Sequence, residues 1–168
     1  MKFVLFIFIL FSRAALATEW VEKDCGQYNA YNGEVFFLKI STAFHGEVSF
    51  KLCKSKVQNV LNVRVINHGA SKEIATELNY TFPLFEQEYI QIIGFYQKAM
   101  SYNALDRISG TDGSSWCLEG MQGINYRKAC FWSPGLGSEE RGIGGLYKLG
   151  AYLWEFSGLD KNAALRLY

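Results

Sequence analysis

The sequence predicts an α+β fold: an antiparallel sheet of about six strands, in the order β-β-β-β-α-β-β-α, with two main helices packed on one face. Three observations predict it. Short apolar runs of alternating period fill residues 34–82, and the period lengthens to that of a helix over residues 85–100. A hairpin pattern and a glycine-punctuated helical stretch then complete the chain. Only Pro83 and Pro134 interrupt it, and no internal repeat or low-complexity tract divides it. One continuous domain over residues 18–168 is expected.

Glu34–Ile40 (EVFFLKI) and Glu47–Cys53 (EVSFKLC) are rich in β-branched and aromatic residues, and the segment holding His45-Gly46 makes them a hairpin. Leu61, Val63 and Val65 alternate with Asn62 and Arg64, a third strand ended by Asn67-His68-Gly69. Ile74, Leu78, Tyr80 and Phe82 share one parity, with Glu73, Glu77 and Asn79 on the other, which predicts a fourth strand. The Glu and Ala residues of that segment would also suit a helix. Phe85, Tyr89, Ile92, Ile93, Tyr96 and Met100 fall at helical spacing, and Pro83 ahead of Glu86 and Glu88 suits a helix N-terminus.

Asp112-Gly113 marks a turn, after which Ser114–Glu119 and Ile124–Trp132 form a second hairpin around Gly120–Gly123. The last helix is expected from Ser138 to Ser157, with Gly158 as its left-handed stop. Ile143, Leu146, Tyr147, Leu153 and Trp154 make its core stripe, and Leu149, Tyr152 and Phe156 add a second apolar flank. Only Arg141, Lys148 and Glu155 remain as a polar strip, so deep burial is expected.

Residues 1–17 have the three parts of a cleaved secretory signal peptide. Lys2 supplies the positive start, Phe3 to Phe11 an unbroken apolar run, and Ala15-Leu16-Ala17 the small residues of a cleavage site. Ser12 and Arg13 stop the apolar run well short of the roughly 20 residues a membrane-spanning helix needs. No transmembrane anchor is expected after cleavage, and the protein is placed in the periplasm or outside the cell. Losing Lys2 and Arg13 takes the basic residues from 17 to 15 against 16 acidic ones, a net charge of about −1. No basic face is visible, so no nucleic-acid partner is expected.

Export also decides how the four cysteines are read. An even set in an oxidising compartment favours two disulfides over metal or redox roles, and no pair is spaced C-x-x-C. In the second hairpin Cys117 and Cys130 project from the same face as diagonal neighbours, which favours Cys117–Cys130 and leaves Cys25 with Cys53. The other two connectivities stay open. His45 and His68 lie at strand ends beside glycines and could meet, but no third ligand is announced, so neither a metal site nor a cofactor is expected.

The densest cluster of special residues is Asp112-Gly113-Ser114-Ser115-Trp116-Cys117-Leu118-Glu119, followed by Tyr126-Arg127 and Phe131-Trp132-Ser133-Pro134. This pattern resembles small uncharacterised exported bacterial proteins in which a D-G-x-x-W-x-x-E strand precedes a Tyr-containing strand, a W-S-P turn and a final amphipathic helix. The resemblance covers Asp112 to Leu159 and implies the hairpin–helix unit and a bacterial source. It implies no activity.

Read physically, Trp116 and Leu118 fill the core beneath the last helix while Glu119 lies on the other face, near Tyr126 and Lys128. A glycosidase would need a carboxylate pair, and Asp112 with Glu119 would supply one. The plainer reading makes Asp112 a turn residue and Glu119 an ion-pair partner for Lys128 or Arg127. Gly135-Leu136-Gly137-Ser138 and Arg141-Gly142-Ile143-Gly144-Gly145 lack the residues of a phosphate cradle, and their glycines are expected to let the last helix pack tightly on the sheet. Aromatics are in surplus, with Tyr28, Tyr31, Tyr102, Trp132 and Tyr168 in loops or tails, where they suit an interface. The chain is therefore expected to be an exported binding, inhibitory or accessory protein that meets another envelope protein. Asp112, Trp116, Glu119, Arg127 and Trp132 are its candidate binding residues. A cell-envelope hydrolase using Asp112 and Glu119 is the alternative.

Overall fold

A computed structural model describes residues 34–43, 46–54, 58–68, 75–103, 105–122 and 125–159. Six strands and two helices follow one another there: β1 (Glu34–Thr42), β2 (Gly46–Cys53), β3 (Val60–His68), β4 (Ala75–Pro83), α1 (Glu86–Ala99), β5 (Ser114–Gln122), β6 (Asn125–Trp132) and α2 (Gly144–Phe156). The strands make one antiparallel sheet ordered β4-β3-β2-β1-β5-β6. The α+β class and the element order match the expectation. The ambiguous fourth segment is a strand, in unbroken register with β3 from Val60↔Pro83 to His68↔Ala75. Cross-strand pairing overrides its local helix propensity.

Alternation puts one apolar row per strand on the helix side. Leu38 lies opposite Phe50 in β2 and Leu118 in β5, and Phe50 lies opposite Val63 in β3. Ile92 and Tyr96 of α1 and Leu146, Leu149 and Leu153 of α2 cover that face in one buried cluster. Trp116, Phe36 and Phe50 are fully buried, each worth on the order of 2–3 kcal/mol in transfer free energy. The two apolar flanks of α2 thus serve burial.

Helix ends follow local chemistry. At the start of α1 the Phe85 N–H donates to Glu88 Oε2 at 2.8 Å, half of a capping box, since Phe offers no side-chain acceptor. Gly158 follows α2 at φ 73° with its N–H donating to the Glu155 carbonyl, the expected left-handed stop.

Four expectations need correction. The hairpin strands do not part around Gly120–Gly123: β5 runs on to Gln122, which pairs with Asn125. That shift sets Cys117 directly opposite Cys130, not diagonal to it, and the two form a disulfide with Cα atoms 4.0 Å apart. Cys53 is also in the disulfide form, while Cys25 lies outside the described residues. The last helix starts at Gly144, not Ser138, because Gly137 and Gly142 take positive φ values that break a helical path. Arg141 consequently leaves the polar strip of the helix and is buried.

The glycine that lets α2 approach the sheet is not among those expected. A Cβ on Gly150 would stand 2.1 Å from Trp116 Cζ3, whereas Gly145 packs on the backbone of Lys98 and Ala99 at the end of α1. His45 lies outside the described residues, and His68 closes β3. Residues 1–17, Tyr28, Tyr31 and Tyr168 also lie outside them.

Candidate protein-binding site

β5 enters the sheet and β6 leaves it at the same end, so the loops on either side, residues 100–113 and 133–143, meet there. The junction is built on serines. Trp116 Nε1 donates to Ser114 Oγ at 2.8 Å, the Ser114 N–H donates to Ser133 Oγ at 3.1 Å, and the Ser133 N–H donates to the Ser114 carbonyl at 2.6 Å. Ser133 has φ 37°, unusual for a residue with a Cβ. Its N–H, hydroxyl and carbonyl are all engaged, which over-determines the conformation.

Arg141 completes the junction. Its Nη1 donates to the carbonyls of Ser133 and Leu136, each at 2.9 Å, and its Nη2 to the Trp132 carbonyl at 2.7 Å. Nε and Nη2 also form a fork to the Asp106 carboxylate at 3.2 and 2.7 Å. The planar guanidinium suits this use of every edge at once; an ammonium would not. The hydrogen bond from Arg141 holds the Asp106 carboxyl below its ordinary range, with help from the Ile108 N–H and against the effect of burial. One buried cation thereby ties the loop after α1 to the loop before α2.

Three large apolar side chains of these loops are exposed. Leu105, Ile108 and Leu136 are 75%, 49% and 59% exposed. All three belong to the backbone that the ion pair fixes: Asp106 accepts from the Ile108 N–H at 3.4 Å, and the Leu136 carbonyl accepts from Arg141. Trp132 lies half-buried beside them, its indole filling the space where Gly110 and Gly113 lack side chains. Tyr102 is half-buried against Phe131, ring centroids 5.2 Å apart.

The five candidate binding residues do not form one site. Asp112 is exposed in the turn before β5, and Trp132 ends β6 beside it. Trp116 is fully buried under α2 and unavailable to a partner. Glu119 and Arg127 stand further along the hairpin and side by side in neither register nor face: Arg127 pairs with Gly120, and Glu119 with Lys128. Glu119 is buried, accepting from the Tyr126 hydroxyl at 2.6 Å and pairing with Lys128 Nζ at 2.7 Å. The expected split between Trp116 and Glu119 faces is therefore present. Between Ser114 and Glu119 the strand rises roughly 17 Å, so Asp112 and Glu119 cannot flank one glycosidic bond, which needs about 5–10 Å.

Sequence reading missed Arg141, Asp106 and the apolar trio. Asp106 and Arg141 are 35 positions apart with no shared periodicity, and the one clue was an Arg set among glycines where a helix was expected. Among the described residues no three His, Cys, Asp or Glu side chains gather as a metal site would require. Compared with family models and with curated proteins, the chain matches none of them.

Proposed function

We propose that the protein is an exported binding or accessory protein, and that its partner surface is the apolar junction of Leu105, Ile108 and Leu136. The observation that carries the reading is the pairing of exposed large apolar side chains with loops locked by a buried ion pair. A rigid backbone lowers the ordering cost of association, and large apolar side chains held in the open on such loops are anchors a partner can bury. The periplasmic location rests on the signal-like residues 1–17 and is supported by the Cys117–Cys130 disulfide, a bond that persists in oxidising compartments. The second bridge in this reading is Cys25–Cys53. The envelope hydrolase loses its motive, because its two carboxylates are not assembled.

The experiment is capture with the immobilised exported chain, followed by binding of the recovered partner in purified form. Leu105→Asp with Leu136→Asp is expected to weaken that binding by two orders of magnitude or more, as loss of central anchors does, with the melting temperature kept. Unchanged binding by the double variant, or no partner recovered, would refute the reading. Mass spectrometry of the exported chain is expected to find Thr18 at its N-terminus and the two bridges as paired.

A further inference from the structure

The sheet ends, among the described residues, in two edge strands, β4 and β6. β6 carries Arg127 and Lys128, charges of the kind that keep strand edges from pairing. β4 has only Glu77 and, at one end, Pro83. It pairs with β3 without a bulge to turn it aside, and residues 76–80 are all exposed. Leu78 and Tyr80, on the helix side, are 42% and 44% exposed. Glu77 is the one charge on β4, and Arg64 already engages it through bonds of 3.0 and 2.8 Å.

The direction of the free backbone groups follows from one bond. The Leu84 N–H donates to the Asn59 carbonyl at 2.9 Å, one step beyond the Val60↔Pro83 pair. Bonded and non-bonded pairs alternate in an antiparallel ladder. Phe82, Tyr80, Leu78 and Thr76 therefore bond to β3, and Thr81, Asn79 and Glu77 turn their N–H and C=O groups outward. Pro83 falls in the outward set, where its missing N–H costs β3 nothing.

We propose that β4 is a self-pairing edge, on which a second copy of the chain lays its own β4 antiparallel about a two-fold axis at Asn79. In that register Asn79 meets the second copy's Asn79, and Glu77 meets the second copy's Thr81, so every outward group of these residues finds a partner. Leu78 lies against the second copy's Tyr80 and Tyr80 against its Leu78, which covers the two exposed apolar side chains. The negative Glu77 faces a neutral Thr, so no like charges meet. A two-fold contact closes at the dimer, whereas β4 on β6 would run head to tail and stay open. This surface is separate from the loop junction, so a dimer still offers both junctions to a partner.

Sedimentation velocity of the purified, oxidised chain from low to high micromolar concentration tests the proposal, with a dimer expected at the upper end. Asn79→Pro removes an outward N–H and no bond to β3, and Leu78→Lys sets a charge in the apolar contact. Each is expected to weaken the dimer by at least about tenfold with the melting temperature kept. Should Asn79→Pro fail to fold, Leu78→Lys carries the comparison alone. Asn79→Cys is expected to form a covalent dimer under mild oxidation, since directly bonded residues lie about 5.5 Å apart. A monomer throughout, a dimer indifferent to the folded variants, an Asn79→Cys dimer that does not cross-link, or open polymers would each overturn it.

Discussion

Arg141 and Asp106 form a bidentate ion pair across 35 positions of chain, with side chains only 6% and 4% exposed. Removing either partner strands the other charge in a place that water scarcely reaches. Asp106→Ala and Arg141→Ala are each expected to cost about 3–5 kcal/mol in urea unfolding, a fall in melting temperature on the order of 10 °C. Arg141→Lys should not rescue it, because an ammonium cannot serve the carboxylate and three carbonyls together. A loss below about 1 kcal/mol would mean that the junction relaxes around the gap.

The same pair gives the stability an acid limb. Asp106 titrates below its ordinary 3.8 when folded. A carboxyl with a lowered folded pKa adds stability above its unfolded value, and the gain is lost as pH falls through the folded one. Urea midpoints of the wild type and Asp106→Asn are therefore expected to differ most near neutrality and to converge in acid below that window. A gap of constant size down to strong acid would contradict the assignment.

Glu77 offers a titration free of burial. The hydrogen bonds from Arg64 and Asn79 hold its carboxyl at about 2, against an ordinary 4.5. Arg64→Gln is expected to return it most of the way in a carbon-detected NMR titration. Because the pair is exposed, the variant should barely change the melting temperature.

Two glycines should respond to alanine in opposite senses. At Gly150 the new methyl would meet Trp116 at 2.1 Å, so α2 must lift off a fully buried ring, at a cost of about 1–3 kcal/mol. At Gly94, inside α1, nothing lies within 4 Å, and the gain in helix propensity should add about 0.5–1 kcal/mol. Equal effects at the two positions, measured by denaturant unfolding, would refute this packing.

Element order was legible because period is a local property: Leu61, Val63 and Val65 declare a strand, and Tyr89, Ile92 and Tyr96 a helix, without knowledge of their neighbours. Trp116 and Glu119 could be assigned to opposite faces on the same ground. Register was not local. Cys117 stands opposite Cys130 only because three more residues of β5, Gly120 to Gln122, pair with β6, and no composition rule dictates where a glycine-rich hairpin folds over. The junction lay furthest from view. Asp106 sits in a loop without period, Arg141 was absorbed into a helical wheel, and only the positive φ of Gly142 removes it from that wheel. The exposed Leu105 and Leu136 carry no pattern at all, since exposure depends on what fails to cover them.

The place of β5 in the sheet bears on how the chain comes together. Phe36 of β1 pairs with Gly120 of β5, from position 36 to position 120, so one side of a central strand closes through the longest excursion among the described strand pairs. β1 to β4 can zip as neighbours, each turn bringing the next strand alongside. β1 must then keep its second side open while α1 and the loop after it are laid down. Contacts of such separation slow folding, because the entropy of closing the loop falls due before any pairing rewards it. Synthesis delivers β1 well before β5, which leaves a central strand of the finished sheet open on one side until β5 arrives.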